Sequence, residues 1–277
     1  MGMGIATLAL IDDLFERGAL PRQGRVMELG SQELFLKGYE TALEAFGARF
    51  DVSLAGLAAH APRPALAQAL FEAINWTYAS IDLDHDHGAT RFDLNVDAAP
   101  TGQVYDLVTN LGTSEHVFNQ LNCFVVAHDF TRRGGVMLHA VPCLGYPEHG
   151  FFNYHPNLFR ALAAANQYEI LGLYYNPAIS SSALIPWASD LLSYLSLTPK
   201  TSGGVFVVLR KTTDEKFMVP QQGRYAHIPL RKPVDGRLLN GGADAHEENL
   251  AEEKARRKAE RRALRNAERD QEKTPDK

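Results

Sequence analysis

Five strand-like runs in this sequence end on residues able to hold a ligand. RVMEL (25–29) runs into Gly30 and Ser31, with Glu28 inside it. TYASIDLD (77–84) ends on Asp82 and Asp84, and TRFDLN (90–95) sets Asp93 beside Leu94. VYDLVTNL (104–111) passes through Asn110 and Leu111 to Gly112 and the run TSEH, and VMLHAV (136–141) leads to Pro142. Ligands of open α/β sheets sit beyond the carboxyl ends of the strands, so these ends are where chemistry is expected. A glycine there lets the backbone turn tightly, and amides at the start of a following helix can hold a carboxylate or phosphate. Asp82 or Asp84 is placed to accept both hydroxyls of a ribose. Asp93 beside Leu94 joins an acceptor to an apolar surface, which suits the amino group and ring face of an adenine.

Histidine is the side chain best matched to proton transfer near neutral pH. Seven of the ten histidines fall within residues 85–155. His116 follows the fourth strand, and His149 and His155 flank the aromatic run GFFNY (150–154) past the fifth. The three are the candidates for acceptor contact or base catalysis. The run DHDHG (84–88) offers a His-x-His pair, but without a further ligand cluster it reads as an exposed loop, and no metal site is expected.

These residues need a frame that brings strand ends together. Apolar spacing predicts a helix over 5–18, a helix over 32–46 capped by Ser31, and a helical stretch within 50–75. Helices are also predicted over 115–130, 156–166 and 183–196. Strands are predicted over 168–175 and 203–211, besides those above. Strands alternating with helices make an α/β domain with a mostly parallel sheet. Trp187 and Tyr194, seven apart in the last predicted helix, are expected in the core or on the face of a homodimer. Asp106 reads as a structural strand residue.

Taken in order, VMELGSQ, SIDLD, FDLN, YDLVTNLGTSEHV and GGVMLHAVP resemble the successive motifs of class I S-adenosylmethionine-dependent methyltransferases of the small-molecule type. The resemblance spans roughly residues 22–175. It implies a Rossmann-like three-layer sandwich whose last strand is antiparallel, and S-adenosyl-L-methionine as cofactor. By position, Glu28, Gly30 and Ser31 would cradle the methionine part, and Asp82, with Asp84 as backup, would bind the ribose. Asp93 and Leu94 would contact adenine, and Asn110, Leu111 and Gly112 would lie beside the transferable methyl. The implied activity is methyl transfer to a small-molecule or sugar-precursor acceptor. The alternative is a non-catalytic methyltransferase-like binding or scaffold protein, because the first motif has one glycine where relatives show two or three.

Composition sets the outer bounds. The chain has 277 residues, 45% hydrophobic and 22% charged, with a formal net charge of -5. Residues 247–277 hold ten basic and nine acidic residues, which leaves 18 basic and 24 acidic residues in 1–246. That acidic body argues against nucleic acid as a main partner. No apolar run reaches the ~18 residues of a membrane helix, and Cys123 and Cys143 imply no disulfide scaffold, so a cytoplasmic location is expected. The domains expected are an N-terminal helix (1–21), a cofactor-binding domain (22–212), an irregular extension (213–246) and a charged helical or disordered tail (247–277).

Overall fold

A computed structural model describes residues 2–59, 63–178, 181–188, 191 and 201–223, and these belong to one compact unit spanning Met1–Leu230. The predicted tail and Tyr194 lie outside the described residues. Ten strands occur among the described residues: β1 (Met3–Gly4), β2 (Arg25–Leu29), β3 (Leu34–Phe35), β4 (Thr77–Asp82), β5 (Thr90–Arg91), β6 (Tyr105–Leu111), β7 (Thr131–Leu144), β8 (Glu169–Asn176), β9 (Ile185–Pro186) and β10 (Gly203–Arg210). The α-helices described in full among these residues are α1 (Ile5–Glu16), α2 (Glu40–Ala48), α3 (Ala67–Ala73), α4 (Gln120–Phe130) and α5 (Pro156–Asn166).

The main sheet has the order β5-β4-β2-β6-β7-β10-β8-β9. Strands β5, β4, β2, β6 and β7 pair in parallel, while β10 runs antiparallel to both β7 and β8. This is the Rossmann-like, mostly parallel sheet with an antiparallel last main strand that the resemblance implied. The period-2 alternation of each strand builds the three layers. Val26, Leu107, Leu111, Val136 and Leu138 join one core with residues of α1, α2 and α3. Met27, Leu29, Val108, Met137 and Val141 join a second core with residues of α4 and α5. Neither core faces solvent, which is why the central strands read as apolar on both faces.

Three predicted helices differ from the structure. No helix begins at Ser31; residues 32–35 are extended and the next helix starts at Glu40. The cause is competition for the backbone. Met3 donates its N–H to Glu33 O (2.9 Å), Leu34 donates to Ala65 O (2.7 Å) and Ala67 donates to Gln32 O (2.9 Å), so the segment is paired on two sides. Gly2 permits this approach, since a Cβ there would lie 2.4 Å from Glu33 O. The helix predicted over 115–130 is broken, with a 3-10 turn over Ser114–His116 and α4 beginning at Gln120, capped by the Asn119 side chain. Within 183–196, residues 183–188 are not helical: Ile185 and Pro186 pair with Tyr175 and Tyr174 as an edge strand, while Leu191 is helical and 189–190 and 192–196 lie outside the described residues. Pro186 tolerates an edge but not a helix interior. The predicted strand at 90–95 shrinks to Thr90–Arg91, leaving Asp93 in a turn.

Asp106 ties three neighbouring strands at the edge away from the predicted site. Its Oδ2 accepts the Arg25 N–H of β2 (2.8 Å) and its Oδ1 accepts Arg132 Nε–H of β7 (2.7 Å). Asp106→Ala leaves that amide and guanidinium without their acceptor and should cost about 1–3 kcal/mol. Urea unfolding measures it, and a change within about 0.5 kcal/mol would mean that water replaces the carboxylate in full.

Candidate active site

Strands β2, β4, β6 and β7 end on one side of the sheet, and the chain leaves β2 toward β4 on one flank while β6 lies on the other. The crevice between such diverging connections is where open α/β sheets take ligands. Gly30 opens it with φ +80°, and its N–H donates to Ile81 O at 2.8 Å. Thr113 lies directly opposite: its hydroxyl donates to Leu29 O (2.6 Å). A Cβ on Gly30 would sit 2.3 Å from Thr113 Oγ1, so only glycine fits.

Beneath this turn lies Glu28, fully buried. Its Oε2 accepts Tyr78 O–H (2.6 Å) and the Gln32 amide (3.2 Å), and its Oε1 accepts Thr109 O–H (3.5 Å). Burial outweighs these bonds and pushes the carboxyl up to about 7. Glu28 thus braces the loop from below. Ser31 donates its N–H to Asp82 Oδ2 (3.1 Å) and its hydroxyl to Ser80 Oγ (2.7 Å). Asp82 Oδ1 accepts the Leu83 N–H (2.8 Å). Two backbone donors thus orient the Asp82 carboxylate, and each oxygen keeps acceptor capacity for a ligand.

The other predicted contacts fall into two groups. Asn110, 2% exposed, fixes the next loop: its Nδ2 donates to Ser114 Oγ (2.8 Å) and His139 Nδ1 (3.2 Å), and its Oδ1 accepts the Ser114 N–H (3.1 Å). Leu111 is buried and lines a cleft, and Gly112 turns with φ +80°. Asp84 lies in the exposed loop after β4 and accepts the Asp86 N–H (2.9 Å). Asp93 accepts Asn95 N–H (2.8 Å) and Nδ2–H (2.9 Å), bonds local to its own turn. Leu94 packs into the second core.

Of the three candidate histidines, the fold brings two together. The His116 and His149 ring centroids are 4.9 Å apart, and both Nε2 atoms point at Glu115 Oε1, from 3.9 and 3.4 Å. Glu115 is fully buried at its side chain, whereas the His116 and His149 side chains are 46% and 29% exposed. Burial raises the Glu115 carboxyl above the ordinary range, and burial together with the neighbouring His149 holds His116 below its ordinary value. His155 stands apart, its Nδ1 accepting the Asn157 N–H (3.2 Å) as the cap of α5.

The loop after β7 locks onto this cluster. Phe151 and Phe152 donate their amides to Glu115 O (2.8 and 3.3 Å), and Gly150 is needed because a Cβ there would lie 2.9 Å from the same oxygen. Tyr146 sits on that loop with its ring 5.6 Å from His149. It also lines a cleft with Gly2, Gly4, Thr7, Leu111 and Pro142. The N-terminal turn of α1 therefore walls the space beyond β6 and β7. Phe118 and Phe151, 79% and 70% exposed, give the surrounding loops apolar surface.

Sequence reasoning missed Glu115, Tyr146, Gln32 and Thr113. Glu115 had a signal, since it is the ionisable residue between the strand-end glycine and His116. Tyr146 had none, because the role of the β1–α1 segment as a wall depends on the fold.

No protein-family model and no curated protein matches the sequence. Among solved structures, the chain is similar to a TehB-like SAM-dependent methyltransferase from Corynebacterium glutamicum, with 14% identity over 72% of this chain and 86% of that one and a TM-score of 0.41. It is similar to a 1,6-didemethyltoxoflavin-N1-methyltransferase from Burkholderia thailandensis, at 12% identity, 76% and 78% coverage and a TM-score of 0.43. It is equally similar to the [4+2]-cyclase SpnF, at 12% identity, 74% and 81% coverage and a TM-score of 0.43.

Proposed function

We propose that the protein binds S-adenosyl-L-methionine at the β2–β4–β6 crevice and transfers its methyl group to a small-molecule acceptor held between the Glu115 cluster and the α1 turn. The observation that carries this reading is the Ser31 N–H to Asp82 contact at 3.1 Å, which sets a carboxylate against the glycine turn. The residues fit the cofactor. Gly30 offers backbone without a side chain, Gln32 keeps a buried Oε1 without a partner, and Asp82 has lone pairs for two ribose hydroxyls. In this assignment Glu28, Gly30 and Ser31 hold the methionine part. Asp82, with Asp84 beyond it, holds the ribose, and Asp93 and Leu94 flank the adenine. Asn110, Leu111 and Gly112 lie along the methyl-bearing side.

When bound, the cofactor supplies an electrophilic methyl group on a sulfonium. What the protein contributes is alignment of acceptor and methyl, the proximity effect that dominates displacement chemistry. The loops at 111–116 and 145–152 fix that alignment, because they are bonded to each other through Glu115 O. Glu115, His116, His149 and Tyr146 form the polar end of the acceptor site. His155 shapes the loop by capping α5 rather than by touching the acceptor. Among the described residues no helix is long and apolar enough to cross a membrane. Cys123 and Cys143 are free thiols, and we propose the cytoplasm as the location of the reaction.

Titration calorimetry with S-adenosyl-L-methionine tests the assignment. Asp82→Ala should weaken binding at least about 100-fold, since two charge-assisted hydrogen bonds together contribute about 3 kcal/mol or more. Asp82→Asn, which keeps the acceptor oxygen for Ser31 or Leu83, serves as the folding control. No binding to the wild type at about millimolar cofactor would reject the reading in favour of the scaffold alternative.

A further inference from the structure

We propose that Glu115, His116 and His149 form a binding site for a single divalent transition-metal ion, with Zn2+ the best chemical match. The sequence points away from a metal because the tempting His-x-His run at 85–87 lies in an exposed loop. The tertiary structure assembles a different set. One ligand atom from each of Glu115, His116 and His149 lies within 4.8 Å of the other two, the only such group among the described residues.

Three features separate this cluster from an ordinary charge contact. First, Glu115 is fully buried, yet neither of its carboxylate oxygens accepts a hydrogen bond. A buried carboxylate without donors is costly, and unpaired buried charges are normally matched by a partner or a metal. Second, His149 Nε2 is also buried and unbonded, although it lies 3.4 Å from Glu115 Oε1. The contact lacks good hydrogen-bond geometry, and a cation shared by the two atoms would satisfy both. Third, the spacing suits zinc. Ligands at ~2.0–2.2 Å around a tetrahedral ion stand about 3.3–3.6 Å apart. The His149 contact already has that value; the His116 contact, at 3.9 Å, and the His116–His149 separation, within 4.8 Å, must shorten by a movement of the half-exposed His116 side chain.

Two imidazoles and one carboxylate leave a fourth position open, as in catalytic zinc sites. The neighbouring Tyr146 lines the α1 cleft, so the cluster borders the proposed acceptor space. The functional role rests on the methyl-transfer reading. An acceptor hydroxyl that coordinates the ion releases its proton to solvent more readily, which leaves an oxygen nucleophile at neutral pH.

The test uses the untagged full chain, stripped of metal and titrated with Zn2+ by calorimetry, and with Co2+ by visible absorption. The expected result is one ion per chain with a tetrahedral cobalt spectrum. Glu115→Gln, His149→Ala and His116→Ala should each weaken binding by more than the roughly 10–100-fold that outer-shell changes cost. His85→Ala, in the exposed loop, should leave it unchanged. Glu115→Gln and His116→Ala remove a buried charge and a half-exposed ring, so at least these variants should fold, as circular dichroism would verify. Equal affinity in wild type and all three variants, or weakening by His85→Ala alone, overturns the proposal. Binding of S-adenosyl-L-methionine to the metal-free chain is measured alongside. If the cofactor binds and zinc does not, the ion site falls alone. If zinc binds and the cofactor does not, the site stands and the methyl-transfer role falls.

Discussion

Gly30→Ala should destabilise the protein by about 2–5 kcal/mol and abolish measurable cofactor binding. Two costs add. A side chain in the left-handed region costs about 1–2 kcal/mol, and forcing atoms into a filled space costs about 1–3 kcal/mol more. The collision is specific, because the new Cβ meets Thr113 Oγ1 at 2.3 Å. Thr113 cannot yield without losing its bond to Leu29 O, and it leads directly into the Ser114–His116 turn. Gly38 is the internal control: it has φ +84° with nothing within 4 Å, so Gly38→Ala should cost only the backbone part, about 1 kcal/mol. Adding Thr113→Ala to Gly30→Ala should recover part of the loss. Denaturant unfolding of the four proteins checks the ordering. Equal costs at Gly30 and Gly38 would show that the two loops do not meet as described.

The second large effect is a pH-dependent stabilisation by Glu28→Gln. Burial pushes the Glu28 carboxyl up to about 7 from an ordinary 4.5. Between those values the folded protein keeps a proton that the unfolded chain has released. The contribution of this group is therefore fully present below pH 4.5 and is lost as pH rises through 7. At about 1.4 kcal/mol per unit, the loss approaches roughly 3 kcal/mol. Glutamine stays neutral throughout, and its carbonyl can accept from Tyr78 and Gln32 while its amide faces Thr109. The variant should match the wild type near pH 4 and exceed it by roughly 3 kcal/mol at pH 8. His128 and His139, both held down to about 4 by burial, act in the opposite direction, since they must charge in acid. They are common to both proteins and cancel in the difference. Urea midpoints at pH 5 and pH 8 provide the measurement, and a difference independent of pH would mean that Glu28 is already ionised in the folded state.

Both effects arise where the chain doubles back under the strand ends, and there the sequence was only partly legible. The strands were, because a central parallel strand is apolar on both faces and cannot be much else: RVMEL is β2 with the same ends, and GGVFVVLR is β10. The strand-end glycines were too, since Gly30 and Gly112 both have positive φ. Ser31 was assigned to a helix cap that does not exist. Its local pattern favours a helix, but pairing of residues 32–35 with the chain start and with 65–67 overrides that preference. A propensity of tenths of a kcal/mol per residue does not compete with several buried backbone bonds.

The sequence by itself thus determined the α/β architecture, the order of the strands along the chain, and the acidic and glycine residues at their ends. These depend on local periodicity and on short-range sterics, which a linear pattern records. Only the tertiary structure decided which ionisable groups meet. His116 and His149 are 33 residues apart in the chain and converge because the amides of Phe151 and Phe152 bind Glu115 O. His155, nearer to His149 in sequence, is turned away to cap a helix. Contact between side chains of distant segments depends on how loops close over the sheet, and no spacing rule along the chain encodes it.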